Sequence, residues 1–199
     1  MNEMRLFVCG AFCEGMILFR KFKELVRSVE DGEVVASAWR LPIGYPVLIK
    51  DGQDSIRGQV LTLQATDMTV RFFDALFSFD SLRPKSSLHF RENVIVQTSR
   101  GPEQVQCYFY NSNLLPKGST PIPLGDWHRS LRDKPPLIDQ LTERQAEYVR
   151  KLGAASGREI VPINDISLYR ELMNLELIVD KGRRLALSKL GKEVYSYLV

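Results

Sequence analysis

The sequence predicts an α+β fold with a strand-rich N-terminal part and a helical C-terminal part. Short runs that alternate apolar and polar residues, such as 56–63 and 105–109, are typical of β-strands. Helix-capping signals and apolar residues at helical spacing follow one another after residue 140. A proline-rich connection at 111–136 separates the two patterns, so we expect domains at 1–131 and 132–199.

The composition is that of an ordinary globular protein. The 199 residues are 44% apolar and 26% charged, enough for one core or for one core with a small second domain. The net charge of +3 divides into 17 basic and 15 acidic residues in 1–138, and 10 and 9 in 139–199. Proteins that bind nucleic acids usually carry a clearer basic surface than this.

The cysteines and the N-terminal residues favour the cytoplasm. Three cysteines are an odd number in a chain of this size, and they indicate reduced, buried thiols instead of a disulfide framework. Arg5 and Glu14 closely bound the apolar run at 6–12, so we expect neither a signal peptide nor a transmembrane span.

Local patterns predict the elements of the first part. Helical spacing predicts helices at 16–29 and 67–77, the second with Thr66 as its N-cap. Turns are expected at Lys50-Asp51-Gly52 and, within a β-hairpin, at 99–102. Strands are predicted at 6–9, 33–41, 45–49, 56–63, 94–98 and 105–109.

The second part begins with a strong helix signal. Thr142 and Gln145 form a capping-box pair, and leucines within 168–175 mark the next helix. Residues 179–187 then predict a small hairpin, and Ser188 is expected to cap a last helix. Helix, helix, hairpin, helix is the order of a winged-helix module, and it also suits a small helical appendage.

The usual metal, nucleotide and nucleophile signatures are absent from the sequence. His89 and His128 are far apart, and Cys9 and Cys13 have no partner pair, so we expect neither a metal nor another cofactor. There is no P-loop or dinucleotide fingerprint. A serine with His128 lacks a G-x-S-x-G elbow, and a Cys9 nucleophile assisted by His89 is disfavoured because burial raises a thiol pKa.

Seven segments match, in their order and spacing, the motifs of one family. They are Leu6–Phe12 for a Val-Tyr-Gly-Thr-Leu opening, Gly44-Tyr45-Pro46 for Gly-Tyr/Phe-Pro, Ile56–Val60 for Val-x-Gly-Glu-Val, Phe73–Ser78 for Leu-Asp-x-x-Glu-Gly, His89–Val96 for Tyr-x-Arg-x-x-Val-x-Val, Tyr110, and Gly125-Asp126-Trp127. Over residues 5 to 131 the sequence therefore resembles the gamma-glutamylcyclotransferase-like proteins.

This resemblance implies a small closed β-barrel with flanking helices, and a reaction that converts a gamma-glutamyl amine into 5-oxoproline and a free amine. The α-amine of the substrate attacks its own γ-carbonyl, so positioning supplies much of the rate. A glutamate at the end of the helix moves the proton, and backbone N–H groups of the first loop face the substrate. The implied ligand-binding residues are Cys9, Gly10, Ala11, Phe12, Tyr45, Phe77, Arg91 and Tyr110. For Tyr110 and Arg91, a core position and pairing with a nearby acid are open as well.

Phe77 stands where the family has its catalytic glutamate, and a phenyl ring cannot transfer a proton. Asp80, Glu14 and Glu92 are acids that could replace it, although no spacing argument favours any of them. Further departures, which make the lining less polar, are Cys9, Ala11, Gln59 and His89.

The sequence therefore predicts a pocket for a small gamma-glutamyl-amine or amino-acid-type ligand, with impaired turnover. Residual catalysis, a pocket filled by Phe77 and a pocket for another ligand all stay open. The alternative is a non-enzymatic regulator or scaffold whose winged-helix-like module binds DNA or protein, with its recognition helix near 167–177 and Lys181, Arg183 and Arg184 in the wing. Nucleic acid is a candidate partner only for that module, no membrane partner is indicated, and the oligomeric state is open.

Overall fold

The computed structural model of the chain describes residues 3–155 and 159–199. The fold is mixed α+β, as predicted, and the chain divides into two compact units, Met1–Asp133 and Lys134–Val199. The assignment of independent domains to 1–131 and 132–199 stays a prediction.

One six-stranded sheet organises the first unit. Its strands are β1 (Glu3–Val8), β2 (Val26–Arg40), β3 (Pro46–Gln64), β4 (His89–Thr98), β5 (Gly101–Tyr110) and β6 (Thr120–Pro121). Their order is β3-β1-β5-β4-β2-β6, and β2 also pairs with β3. Each of β1 to β5 therefore pairs with at least two other strands. All pairs are antiparallel except β1 with β5.

The core lies against β1 and the strands beside it. Leu6, Phe7 and Val8 are all buried, which explains why β1 has a continuous apolar run instead of an alternating one. Phe73 belongs to helix α1 (Asp67–Leu76) and packs its ring edge to face with Phe22 at a centroid distance of 5.2 Å. The core thus joins the sheet, α1 and the segment after β1.

The predicted α1 is confirmed and the helix predicted at 16–29 is wrong. Between β1 and β2 the chain forms short 3-10 turns, and β2 already begins at Val26. Val26 and Val29 are β-branched and pair with β3, so pairing along the fifteen residues of β2 outweighs a weak helical spacing.

A bulge replaces the turn predicted at Lys50-Asp51-Gly52. Strand β3 runs through these residues without a break, while its register with β2 jumps from the pair Ala36 and Asp54 to the pair Ser37 and Ile49. A Cβ on the glycine would lie 2.3 Å from the carbonyl carbon of Ala36, so only glycine fits this close approach.

The predicted β4–β5 hairpin is confirmed, although its turn is Ser99-Arg100 instead of 99–102, because Gly101 and Pro102 already pair with β4. The irregular connection contains a helix that the sequence did not predict. Helix α2 (Trp127–Asp133) follows β6. Trp127 is 2% exposed, and its indole N–H donates to the carbonyl of Arg57 at 2.7 Å. This bond attaches the proline-rich connection to β3.

The second unit has the elements predicted from residue 141 onward and one short helix that the sequence did not predict, at 137–140. They are α3 (Leu137–Gln140), α4 (Glu143–Ala154), α5 (Ile166–Asn174), β7 (Ile178–Asp180), β8 (Leu185–Leu187) and α6 (Lys189–Leu198). The capping box is present, because Thr142 Oγ1 accepts the N–H of Gln145 and Gln145 Oε1 accepts the N–H of Thr142. Ser188 caps α6. Within the described residues, no helix is long and apolar enough to cross a membrane.

We expect Thr142→Ala to destabilise the second unit by about 1 kcal/mol, because an orphan N–H at the start of α4 loses its acceptor. Urea unfolding followed by circular dichroism measures this change. Thr142→Ser keeps the hydroxyl and should cost much less, so equal losses in both variants would contradict a capping role.

Candidate functional site

Residue 77, at the end of α1, lies inside a cluster of aromatic rings. The Phe77 ring stacks on Phe12 at a centroid distance of 4.6 Å and on Tyr108 at 4.2 Å, with an angle of 5° between the latter two planes. His89 contacts the same ring edge-on at 5.2 Å. We call these four residues the aromatic cluster. It lies where the sequence resemblance predicted a catalytic glutamate.

His89 is held in one tautomer. Its Nδ1 lies 2.6 Å from the carbonyl oxygen of Phe77, which can only accept, so Nδ1 carries the proton and Nε2 the lone pair. Burial lowers the pKa of His89 to about 4, and the hydrogen bond to Phe77 opposes this only in part. The imidazole is therefore neutral at physiological pH.

The charge of Arg91 is neutralised by Asp74. Arg91 Nη1 lies 2.9 and 3.1 Å from the two carboxylate oxygens, and the Tyr108 hydroxyl donates to Asp74 Oδ1 at 2.7 Å. Burial, followed by the Asp74 carboxylate, raises the pKa of Tyr108 well above its usual value. Arg91 is therefore paired with a nearby acid, which was one of the two alternatives left open for it. The same carboxylate of Asp74 also binds Tyr108, the ring that stacks on Phe77.

The first loop lies very close to Pro46 at Gly10. Gly10 has φ +60°, and a Cβ there would lie 2.4 Å from Cγ of Pro46. Gln59, for which the resemblance predicted a glutamate, accepts the N–H of Glu14 through Oε1 at 2.7 Å. Gln59 therefore holds the loop in place by a neutral hydrogen bond.

The three cysteines are free and buried thiols, as expected. Burial raises the pKa of Cys9 well above its usual value and that of Cys13 to about 12. Neither thiol is ionised near neutral pH, so neither has the thiolate that a nucleophile requires.

A cavity of about 20 Å³ lies beside the aromatic cluster, which is room for about one water molecule. It is lined by Phe7, Val8, Cys9, Phe12, Pro46, Val47, Leu48, Phe77, His89 and Tyr108. This lining contains no carboxylate. Asp80 pairs instead with Arg83 at 3.0 Å, and Glu92 pairs with Lys50.

Only some of the predicted site residues share this cavity. Cys9, Phe12 and Phe77 line it, while Gly10 and Ala11 form the adjoining turn. Tyr45 is buried next to the lining residue Pro46, Arg91 lies against Asp74, and the Tyr110 ring contacts His89 at 4.9 Å.

Tyr108 is a lining residue that sequence reasoning missed. In the β4–β5 register it lies directly opposite Arg91. The turn predicted at 99–102 would have paired Arg91 with Tyr110 instead, because register follows the turn position and the observed turn is Ser99-Arg100. Among the described residues, no group of three or more histidine, cysteine or acidic side chains is placed to hold a metal ion.

A family model described as gamma-glutamyl cyclotransferase, AIG2-like, matches residues 6–129. This match confirms the resemblance found at residues 5 to 131, and the α+β fold with its six-stranded sheet agrees with it. No curated protein matches the sequence.

Several solved structures are similar to this chain. YkqA from Bacillus subtilis is 20% identical with a TM-score of 0.46, over 66% of this chain and 42% of that one, so the chain spans less than half of YkqA. A protein from Arabidopsis thaliana is 17% identical with a TM-score of 0.47, over 67% and 86% of the two chains. An AIG2-like protein from Mus musculus is 16% identical with a TM-score of 0.40, over 58% and 86%.

Gly10→Ala should destabilise the protein by about 3 kcal/mol, because it adds a left-handed backbone penalty to a clash with Pro46. Gly15 is the matched control, since it has φ +80° and open space where a side chain would begin. Gly15→Ala should cost only about 1 kcal/mol. Urea titrations of both variants measure the two losses of stability. Equal costs would contradict a tight contact at Gly10.

The stability of the protein should fall between about pH 6.5 and pH 4 by up to about 3 kcal/mol through His89 alone. The pKa of His89 is depressed in the folded state, so in this window the unfolded chain binds a proton that the folded chain does not. Urea titrations across this window should give His89→Gln a shallower pH dependence than the wild type.

His128 provides the control, because it is exposed and its pKa is lowered less by burial. His128→Gln should keep most of the wild-type pH dependence. If His89→Gln kept it equally, a buried neutral His89 would be ruled out.

Proposed function

Because the chain belongs to the gamma-glutamyl cyclotransferase, AIG2-like family, we propose that it is a non-catalytic member whose substrate pocket is closed by aromatic side chains. The observation that carries this proposal is the stacking of Phe77 between Phe12 and Tyr108. Where the family reaction needs a carboxylate, this chain has a ring packed on both faces.

The groups around the cavity do not supply the missing proton transfer. A general base works best when its pKa lies near the working pH. The pKa of His89 is lowered to about 4, whereas burial raises the pKa values of Cys9 and Tyr108. His89 is therefore too weak a base, and Cys9 and Tyr108 keep their protons near neutral pH.

Space and charge also oppose the family substrate. A gamma-glutamyl amine carries an ammonium and a carboxylate, and both need partners once they leave water. Arg91 already pairs with Asp74, and the cavity has room for about one water molecule. A small amino-acid-type ligand would have to displace the partly exposed Phe12 ring to enter.

The remaining features support a regulator or scaffold role. We propose that β1 to β5 close into a barrel, since each pairs with at least two other strands. The order of α4, α5, β7, β8 and α6 supports a winged-helix-like module in the second unit. Free thiols at all three cysteines support a location in the cytoplasm.

The wild-type protein should form no 5-oxoproline above the buffer level from gamma-glutamyl amino acids or amines, measured by mass spectrometry. Phe77→Glu should not gain turnover, because Phe12, Tyr108 and Pro46 still fill the space. It should also lose about 2 kcal/mol or more of stability from a buried, unpaired carboxyl group.

Phe77→Leu is the matched control, because it keeps an apolar side chain and shows whether a loss of packing alone explains the lower stability of Phe77→Glu. The proposal fails if wild-type protein releases 5-oxoproline and replacement of Asp80, Glu14 or Glu92 by its amide abolishes that release. Such a result would identify a relocated catalytic acid.

A further inference from the structure

The second unit has a strongly basic segment at Lys181–Lys192, formed by the β7–β8 turn, β8 and the start of α6. Its cations are Lys181, Arg183, Arg184, Lys189 and Lys192, and it contains no acidic residue. All five side chains are exposed, and none forms an ion pair with a described residue. A segment of twelve residues thus has a charge of +5.

The other basic side chains of this unit are mostly neutralised. Arg144 pairs with Asp165 at 2.6 Å and with Glu171 at 3.1 Å. Farther along α4, Arg150 pairs with Glu143, and Lys151 pairs with Glu147. Anions and cations therefore cancel on α4 and α5, and an almost neutral unit retains a local positive field at Lys181–Lys192.

Hydrogen bonds fix the backbone of the turn that carries these cations. The backbone N–H of Lys181 donates to the carbonyl of Arg184 at 2.9 Å, and Asp180 Oδ1 accepts the N–H of Gly182 at 2.7 Å. The carboxylate of Asp180 is therefore engaged by the turn. After the segment, Glu193 is half-buried, and burial raises its pKa, although Lys189 opposes that shift.

We propose that Lys181–Lys192 binds the phosphate backbone of a nucleic-acid duplex without reading its sequence. Guanidinium groups such as those of Arg183 and Arg184 match phosphate oxygens in geometry and charge. The proposal gives the non-enzymatic role of the protein a ligand class, and it does not depend on the closed pocket.

The chemistry of the segment favours a duplex over other anions. Its apolar residues, Leu185–Leu187 and Leu190, are half-buried or buried, so no apolar side chain is presented for insertion into a bilayer. It has no aromatic residue on which an unpaired base could stack. It also lacks the apolar and aromatic centre that protein interfaces usually contain.

Helix α5, which precedes the hairpin, does not favour base reading. Glu171 accepts hydrogen bonds from Arg144, Gln145 and Ser167, so polar side chains at its start are already engaged. Arg170 is then the only basic residue of α5. Specific readout needs several side chains that reach base edges, so we expect contacts to phosphates alone.

The test measures fluorescence anisotropy of a labelled random duplex of about 20 base pairs with the full chain, from about 50 to about 200 mM KCl. With five phosphate contacts, the slope of log K against log salt should approach roughly −4.5, a roughly 500-fold loss of affinity over this range. The triple variant Lys181→Gln/Arg183→Gln/Arg184→Gln should reduce the magnitude of the slope by about 2.7.

The matched control Arg150→Gln/Lys151→Gln/Arg170→Gln removes the same charge from α4 and α5 and should retain most of the affinity and slope. Thermal unfolding establishes that both variants fold.

Equal weakening of the two variants, preference for one duplex sequence, or no binding at about 50 mM KCl would overturn the proposal. Binding to vesicles of phosphatidylcholine and phosphatidylserine or to polyglutamate, but not to duplex, would also overturn it. Since 5-oxoproline is assayed separately, failure here leaves the non-catalytic assignment standing.

Discussion

The stacking of Phe77 between Phe12 and Tyr108 is the contact on which the candidate site depends. It joins three parts that are distant in sequence, since the rings come from the first loop, the end of α1 and β5. Asp74 adds a polar anchor, because it binds both Arg91 and the Tyr108 hydroxyl. Closely packed rings resist displacement, so this contact shapes the cavity, while burial keeps the adjoining His89 neutral.

The proposed loss of a catalytic glutamate involves more than one side chain. A carboxylate at residue 77 would need room, water and hydrogen-bond donors, whereas a phenyl ring needs apolar neighbours. Neutral His89 and the un-ionised thiol of Cys9 supply such neighbours. Gln59 keeps a hydrogen bond to the first loop without a charge. The residues at which the sequence departs from the resemblance therefore form one uncharged environment, which suits a phenyl ring better than a carboxylate.

The sequence predicted features that depend on neighbouring residues. The caps at Thr66, Thr142 and Ser188 and the β4–β5 hairpin are local, and all of them are confirmed. The helix at 16–29 was wrong because β2 gains its stability from pairing with β3, which local spacing does not show. The cavity lining was found only in part, since Val47 and Leu48 from β3 line it together with Tyr108 from β5, and this convergence depends on the sheet order. The motif order placed Phe77 at the end of a helix, where the structure has it, but only the structure showed which rings pack on it.

The surface charge of the second unit also depends on contacts between residues that are distant in sequence. The net charge of the second unit predicted little about partners, because it averages the neutralised helices α4 and α5 with the basic segment at Lys181–Lys192. Ion pairs are made between side chains that folding brings together, such as Arg144 with Glu171 from the next helix. The sequence already placed Lys181, Arg183 and Arg184 in the wing, but only the assigned pairs show that the cations of α4 are neutralised while those of the hairpin are not. Binding to a polyanion depends on that unpaired local charge, since paired cations already have a counterion and release none from the ligand.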